Sequence, residues 1–293
     1  MIEELAEALA QDVAEAYDPH VGKTAKERAY IGASSIGHQC ERAIALRLRG
    51  FPTDPIRPAL KRIFDAGHFY ERLVVNHIED VLQYFDCFEL KETGTGISEQ
   101  KEYRYYGNVC RAHSDGVIAV TDTGEEALVE IKSANDSSFS SFVRLGLRYA
   151  MPSYYDQMQL MMGLGEMKRG LCIVINKNTS QIHAEVIEYD EVTFGYLTAR
   201  IEYIANANDD KHAKSPNNPT CSMCSYREGC WLPKPIPKED RTCRHCRYAT
   251  VPPNHYAQCQ NPKVIGIPAI KTYDIALTMA RTCPEFTDYR EKK

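Results

Sequence analysis

Long apolar runs are missing from this chain. No stretch approaches the ~20 apolar residues that a bilayer-spanning helix needs, so membrane-embedded functions are set aside. Low-complexity tracts are missing as well, and with 43% hydrophobic and 26% charged residues the composition is that of a soluble globular protein. The opening segment, MIEELAEALAQDVAEAY, lacks the pattern of a secretory leader. It is acidic and amphipathic, and a surface or docking helix is expected over 2–17. A general excess of positive charge is absent too: the net charge is −5, which argues against a basic nucleic-acid coat and leaves room for local basic patches. With no leader the expected location is the cytoplasm. Eleven cysteines in such a reducing compartment bind metal more often than they pair as disulfides.

At 293 residues the chain can hold one large domain, or a domain with a small appendage. The segment IGASSIGHQCERAIALRLRG reads as a helix with Ser34 or Ser35 as its N-cap. Arg42, Arg47, Arg49, Arg57, Lys61, Arg62 and Arg72 give this region a basic bias suited to tracking phosphates. Pro58 opens a long helix to about Gln83 with an apolar seam at Leu60, Phe64, Gly67, Val74, Ile78 and Val81. Glu71 stands at the step missing from that seam, where a carboxylate needs either an arginine partner or a metal. Two strands are expected within 86–107, a hairpin over 110–120 and 126–134, a short helix to about Arg148, and a helix after Pro152. Strands over 170–176 and 181–189 and a helix over 191–207 complete a mixed α/β sandwich around a central sheet.

The hairpin carries the chemistry. Asp115 lies in its first apolar run, Glu130 and Lys132 in its second, and Gly124 in the turn between them. Alternation puts Glu130 and Lys132 on one face, with Val129 and Ile131 on the other. Two carboxylates and an ammonium on one side of a mostly apolar sheet call for compensation, which a surface salt bridge or a divalent cation would supply. Gln157 is a polar residue on the otherwise apolar stripe of the helix after Pro152, the position of a satisfied core glutamine or of a catalytic one.

Cysteine spacing suggests two metal sets. Cys221, Cys224 and Cys230 form CxxC-x5-C, and the distant Cys40 is available as a fourth thiolate for Zn²⁺ or a [4Fe–4S] cluster. Cys243, Cys246, Cys259 and Cys283 lie in a tail too small for much of a core, where Zn²⁺ is preferred over an iron–sulfur centre and His245 and His255 are alternative ligands. Cys87, Cys110 and Cys172 read as small buried hydrophobes in strands.

These residues resemble the PD-(D/E)xK nuclease superfamily, in its RecB-like and phage-type exonuclease branch with a four-cysteine iron–sulfur staple. GHFYE (Gly67 to Glu71), AHSDG (Ala112 to Gly116), EIK (Glu130 to Lys132) and QMQLM (Gln157 to Met161) follow the branch's motif order over roughly 31–232. Ala112 replaces a usual glycine, and Met161 a usual tyrosine. The resemblance implies a restriction-endonuclease-like fold: residues 1–30 as helix and linker, 31–232 as nuclease core, and 233–293 as a cysteine-rich metal-binding tail. It implies a Mg²⁺- or Mn²⁺-dependent deoxyribonuclease acting on DNA ends in resection, recombination or degradation in a phage or mobile element. Glu71, Asp115, Glu130 and the Ile131 carbonyl would hold the cation. Lys132 and Gln157 would act on the attacking water or the phosphate, and His68 and His113 would brace the site or touch substrate. The implied partners are DNA and a recombination protein or a second copy. Alternatives are a CRISPR-adaptation-type nuclease and a retired, metal-stapled DNA-binding protein.

Overall fold

A computed structural model describes residues 2, 29–54, 58–94, 100–207, 216–222, 224–264 and 269–291. The helix expected at 2–17 (apart from Ile2) and Arg57 lie outside them. In chain order come β1 (Ile31–Gly32), α1 (Ala33–Ile36), α2 (Glu41–Leu48), α3 (Pro58–Leu82), β2 (Phe88–Lys91), β3 (Glu102–Tyr105) and β4 (Cys110–His113). Next are β5 (Gly116–Val120), β6 (Glu126–Ala134), α4 (Asp136–Leu145), α5 (Leu147–Ala150), α6 (Pro152–Leu164), β7 (Arg169–Asn176), β8 (Ile182–Glu188) and α7 (Glu191–Asn206). The tail adds α8 (Pro219–Ser222), α9 (Arg227–Trp231), β9 (Ala249–Thr250), β10 (Gln258–Cys259) and α10 (Tyr273–Thr282).

The central sheet has five strands in the order β2-β5-β6-β7-β8. Only β6 and β7 run parallel, joined through α4, α5 and α6; the other pairs are antiparallel. The fold is thus mixed α/β with helices on both faces of a mixed sheet. Alternation in β6 and β7 sorts the side chains. Val129, Ile131, Ile173 and Ile175 pack with Val74, Val75 and Ile78 of α3. Leu128, Cys172 and Val174 face the other way, into the core that contains Met158, Met161 and Met162 of α6.

The long seam expected along α3 is only half realised. Val74 and Ile78 are buried, but Phe64 is 50% and Val81 40% exposed. At the C-terminal end Leu82 rather than Val81 packs against the sheet, and in the N-terminal turns Ile63 and Phe64 stay exposed. Glu71 falls one turn before Val74 and Val75, where α3 first meets the sheet.

The run 110–120 is not one strand. It divides at Ser114 and Asp115 into β4, which pairs with β1 and β3 in a separate sheet, and β5 in the central one. Local apolar pattern is the same on both sides of the break and does not betray it. Neither Ser34 nor Ser35 caps a helix: both lie inside α1, whose N-cap is Gly32, while Cys40 caps α2. Cys110 and Cys172 are fully buried, but Cys87 sits half-buried in the turn before β2.

Two of the arginines in and just after α2, Arg42 and Arg49, are spent inside the protein. Arg49 is 1% exposed, donates to the carbonyls of Arg244 (3.0 Å), Cys246 (3.2 Å), Ala207 (3.4 Å) and Ala249 (2.8 Å), and lies 3.8 Å over the Tyr289 ring. Arg42 is buried as well and donates to the Arg290 carbonyl. Neither is a phosphate contact; both fasten the tail to α2. The fork geometry of a guanidinium allows this many simultaneous bonds, and an ammonium does not. Arg49→Met should therefore destabilise the chain by at least about 3 kcal/mol, since several buried carbonyls lose charged donors. Arg49→Lys should recover only part of that. Denaturant unfolding with limited proteolysis of the tail checks both, and wild-type stability in Arg49→Met would refute the tie.

Candidate active site

The break between β4 and β5 builds the site. Beyond Gly116, which pairs with Val129, the chain leaves the central sheet, so no strand remains to pair with the next outward amide of β6. That amide belongs to Ile131, and Asp115 Oδ2 accepts it at 2.7 Å. The side chain stands in for a missing backbone carbonyl and is thereby fixed beside Glu130 and Lys132.

Glu130 lies on the α6 face of β6 with 0% exposure. Its Oε1 accepts from Lys132 Nζ and from Gln157 Nε2, the latter at 2.7 Å. Lys132 Nζ also sits 5.0 Å from the Tyr154 ring centroid. Tyr154 and Gln157 are three residues apart on α6 and share a face, so one helix stripe presents both to the β6 pair. Glu71 reaches the group from α3, close enough that the charge of Asp115 is felt at its carboxyl. His68 Nδ1 is 3.5 Å from Glu71 Oε2 and is largely exposed.

Electrostatics bind these residues together. Three carboxylates face one ammonium, with Glu130 fully buried and Glu71, Asp115 and Lys132 partly so. Burial, reinforced by Asp115, pushes Glu130 up to about 8 against the pull of Lys132. Burial also raises Asp115, with Lys132 and the Ile131 amide opposing, and raises Glu71, with Asp115 adding to the effect. Burial alone would lower Lys132, but Glu130 and Asp115 outweigh it and hold the ammonium charged. The site is therefore short of positive charge, and without a cation it takes up protons instead.

Two acceptors mark where such a cation fits. Glu130 Oε2 and Gln157 Oε1 are buried with no hydrogen-bond partner among the described residues. An all-oxygen set rich in carboxylates suits a hard divalent ion such as Mg²⁺ or Mn²⁺. As placed, however, no three His, Cys, Asp or Glu side chains among the described residues are arranged to hold a metal ion, so binding would require the side chains to draw in.

The same holds for the cysteines. Cys40, Cys221, Cys224 and Cys230 line one pocket with Leu46 and Trp231. Burial, together with the other three thiols, raises Cys224. In the tail, burial and the neighbouring Cys246, Cys259 and Cys283 push Cys243 up to about 12. Each set is gathered in space, and clustered thiols of raised pKa are what a thiophilic metal would ionise. His245, an alternative ligand by spacing, instead packs 4.7 Å from the Phe51 ring, and burial lowers it to about 4.

His113 is not turned into the acidic group. It is exposed, and its Nε2 lies 3.4 Å from Glu102 Oε2 on β3. Sequence reading passed over Glu102, and it had no role for Tyr154. The first has no local signal; the second was legible as the i−3 neighbour of Gln157.

No family model matches the chain, and no curated protein does. Solved structures do overlap it. LHK-Exo in complex with dAMP is 14% identical, with 61% of this chain and 87% of that one aligned at a TM-score of 0.44. That protein is an alkaline exonuclease from Laribacter hongkongensis. SSO0001 is 16% identical over 79% of this chain and 98% of its own, with a TM-score of 0.41. A phage-related exonuclease from Haemophilus somnus is 14% identical over 60% and 91%, with a TM-score of 0.38. Each likeness is partial, and none fixes the activity of this chain. Among the described residues no helix is long and apolar enough to cross a membrane.

The raised carboxyls give a signed pH dependence. An unfolded glutamate titrates near 4.5 and Glu130 near 8 when folded, so the folded state binds the extra proton between those values. The stability this contributes is complete below about 4.5 and drains as pH rises through about 8. In EDTA, melting should fall more steeply from pH 6 to pH 8.5 in the wild-type chain than in Asp115→Asn, where one repelling charge is gone. Parallel curves for the two would contradict the electrostatic picture.

Proposed function

We propose that this chain is a divalent-metal-dependent nuclease that hydrolyses DNA phosphodiesters, working from linear ends in resection or recombination. The observation that carries the reading is the meeting of Glu71, Asp115, Glu130 and Lys132, from three separate stretches of sequence, in one desolvated group with unpartnered acceptors. Glu71, Asp115 and Glu130 would hold Mg²⁺ or Mn²⁺, with the Ile131 carbonyl as a further ligand. When bound, the ion would neutralise charge on the phosphoryl oxygens and make a water more acidic.

The chain's own residues supply the rest. Lys132 stays protonated between its carboxylates, so its part is to donate to the attacking water or a phosphoryl oxygen and to offset the charge that builds there, rather than to act as a base. Gln157 orients Glu130 through its Nε2 bond, and its free Oε1 is a second acceptor for a water proton. The Tyr154 ring face confines the ammonium. A retired, binding-only protein is disfavoured because crowding two further acids against the buried Glu130 is costly without a cation to hold.

The cysteine sets are proposed as structural staples: a [4Fe–4S] cluster or Zn²⁺ at Cys40, Cys221, Cys224 and Cys230, and Zn²⁺ or an iron–sulfur centre at Cys243, Cys246, Cys259 and Cys283. Anaerobic purification with metal analysis separates the options: a brown protein with broad visible absorbance carries iron–sulfur, a colourless one with bound zinc does not. Cys221→Ala should lose the first metal and melt earlier; a fully stable, fully metallated variant would refute that staple.

Linear and circular DNA incubated with Mg²⁺, Mn²⁺ or EDTA tests the activity. Digestion of linear DNA alone, abolished by EDTA, is expected. Asp115→Asn and Lys132→Ala should each slow cleavage by at least about 100-fold while leaving the chain folded. Wild-type rates in either variant would remove the assignment.

A further inference from the structure

The central sheet ends in an open strand. β8 stands last in the order, and among the described residues only β7 pairs with it. The bonds at the two ends of that pairing set its phase: the Asn176 amide donates to the Gln181 carbonyl at 2.8 Å, and the Tyr189 amide to the Lys168 carbonyl at 2.9 Å. Alternate residues of an antiparallel strand bond the same neighbour. His183, Glu185 and Ile187 therefore bond to β7, while Ile182, Ala184, Val186 and Glu188 turn their amides and carbonyls to the open edge. Gln159 Nε2 takes the Glu188 carbonyl at 2.9 Å. The edge groups of Ile182, Ala184 and Val186 meet no strand among the described residues.

Edge strands are normally blunted by shortness, proline, a bulge or charge. β2, at the other edge, has four residues and carries Glu89 and Lys91. β8 has seven residues (IHAEVIE), no proline and an unbroken register. Its side chains on the α3 face are Ile182, 39% exposed, Val186, 59% exposed, and the exposed Ala184 between them. They lie opposite Ile175, Leu171 and Ile173 of β7 and extend that apolar surface past the cover of α3.

The strand is also complementary to itself. An antiparallel copy centred on Ala184 sets Ala184 against Ala184, Ile182 against Val186, and His183 against Glu185. The first two kinds of pair are apolar and fall on the residues whose backbone groups face the edge. The third falls between them, where Cα atoms approach to ~4.5 Å, and it brings an imidazole to a carboxylate. Both members are already held on the far face, Glu185 by the Leu147 amide at 2.7 Å and His183 edge-on to the Phe142 ring. Centring on Glu185 instead would bring two carboxylates together at that closest spacing, and centring on His183 two imidazoles. Charge selects the Ala184 register.

We infer that β8 pairs antiparallel with β8 of a second copy of this chain, about a two-fold axis through Ala184, joining two five-stranded sheets into one. The contact is isologous and adds about six backbone hydrogen bonds. Its axis is normal to the sheet, so both copies of α3 stay on one face. Neither the nuclease reading nor the cysteine sets enter the argument.

Sedimentation of the full-length chain over about 1–100 µM reads the association, because a dimer's population follows protomer concentration. A dimer is expected for the wild type. Val186 is exposed, so Val186→Lys should fold normally, with circular dichroism as the check. It should weaken the dimer by at least about tenfold, since an ammonium then lies against Ile182 of the second copy. Ala184→Cys, treated with a mild oxidant, should cross-link to its own copy, because Cα atoms of a hydrogen-bonded pair lie ~5.5 Å apart, within disulfide reach. Peptide mapping by mass spectrometry separates that bridge from the native thiols. A wild-type chain that stays monomeric throughout would leave the edge to a strand of another protein and overturn the proposal. A dimer that Val186→Lys leaves intact, or that does not cross-link through position 184, would put the contact elsewhere and overturn it too.

Discussion

A carboxylate occupies the place of a backbone carbonyl. Where the chain steps out of the central sheet between β4 and β5, Asp115 accepts the Ile131 amide that a continued strand would have taken. This satisfies a buried donor and at once commits an acid to a desolvated corner. Glu130 and Lys132 are already there by alternation, and Glu71 arrives on α3 at the point where that helix first touches the sheet. Placing these groups together is a consequence of topology more than of any one contact.

That corner cannot be electrically quiet. One ammonium does not balance three acids, and at the fully buried Glu130 there is no water to screen them. Burial raises all three carboxyls, and the charge of Asp115 adds to the effect at Glu71 and Glu130. Gln157 and Tyr154 fix the geometry around Glu130 and Lys132 without adding charge. A site that favours cations, opening to solvent at Glu71, is suited to draw its side chains in around a divalent ion and the phosphate that follows it.

Much of this was legible in the chain. Alternation in EALVEIKSA placed Glu130 opposite Val129 and Ile131, and the interruption of the α3 seam singled out Glu71. The turn at Gly124 was readable from the glycine between two apolar runs, and its φ of 71° is one that glycine adopts freely. What escaped was non-local. The division of 110–120 into strands of two sheets depends on partners far away in sequence, and apolar pattern is the same on either side of it. Arg42 and Arg49 read as surface charge because nothing nearby announces that tail carbonyls would close over them. The seam of α3 was misjudged at both ends: Leu82 takes the place expected of Val81, and Phe64 stays exposed.

The tail ties these points together. Arg49 holds it against α2, and Tyr289 belongs to the main core. The central claim, though, is that the buried acids carry protons which a divalent cation replaces. Calorimetric titration of Mg²⁺ at pH 7, in buffers of different ionisation enthalpy, measures that exchange directly, because Mg²⁺ has little affinity for thiols. The account predicts release of on the order of one proton per ion bound, lost in Asp115→Asn. Binding without proton release, or release undiminished in that variant, would contradict it.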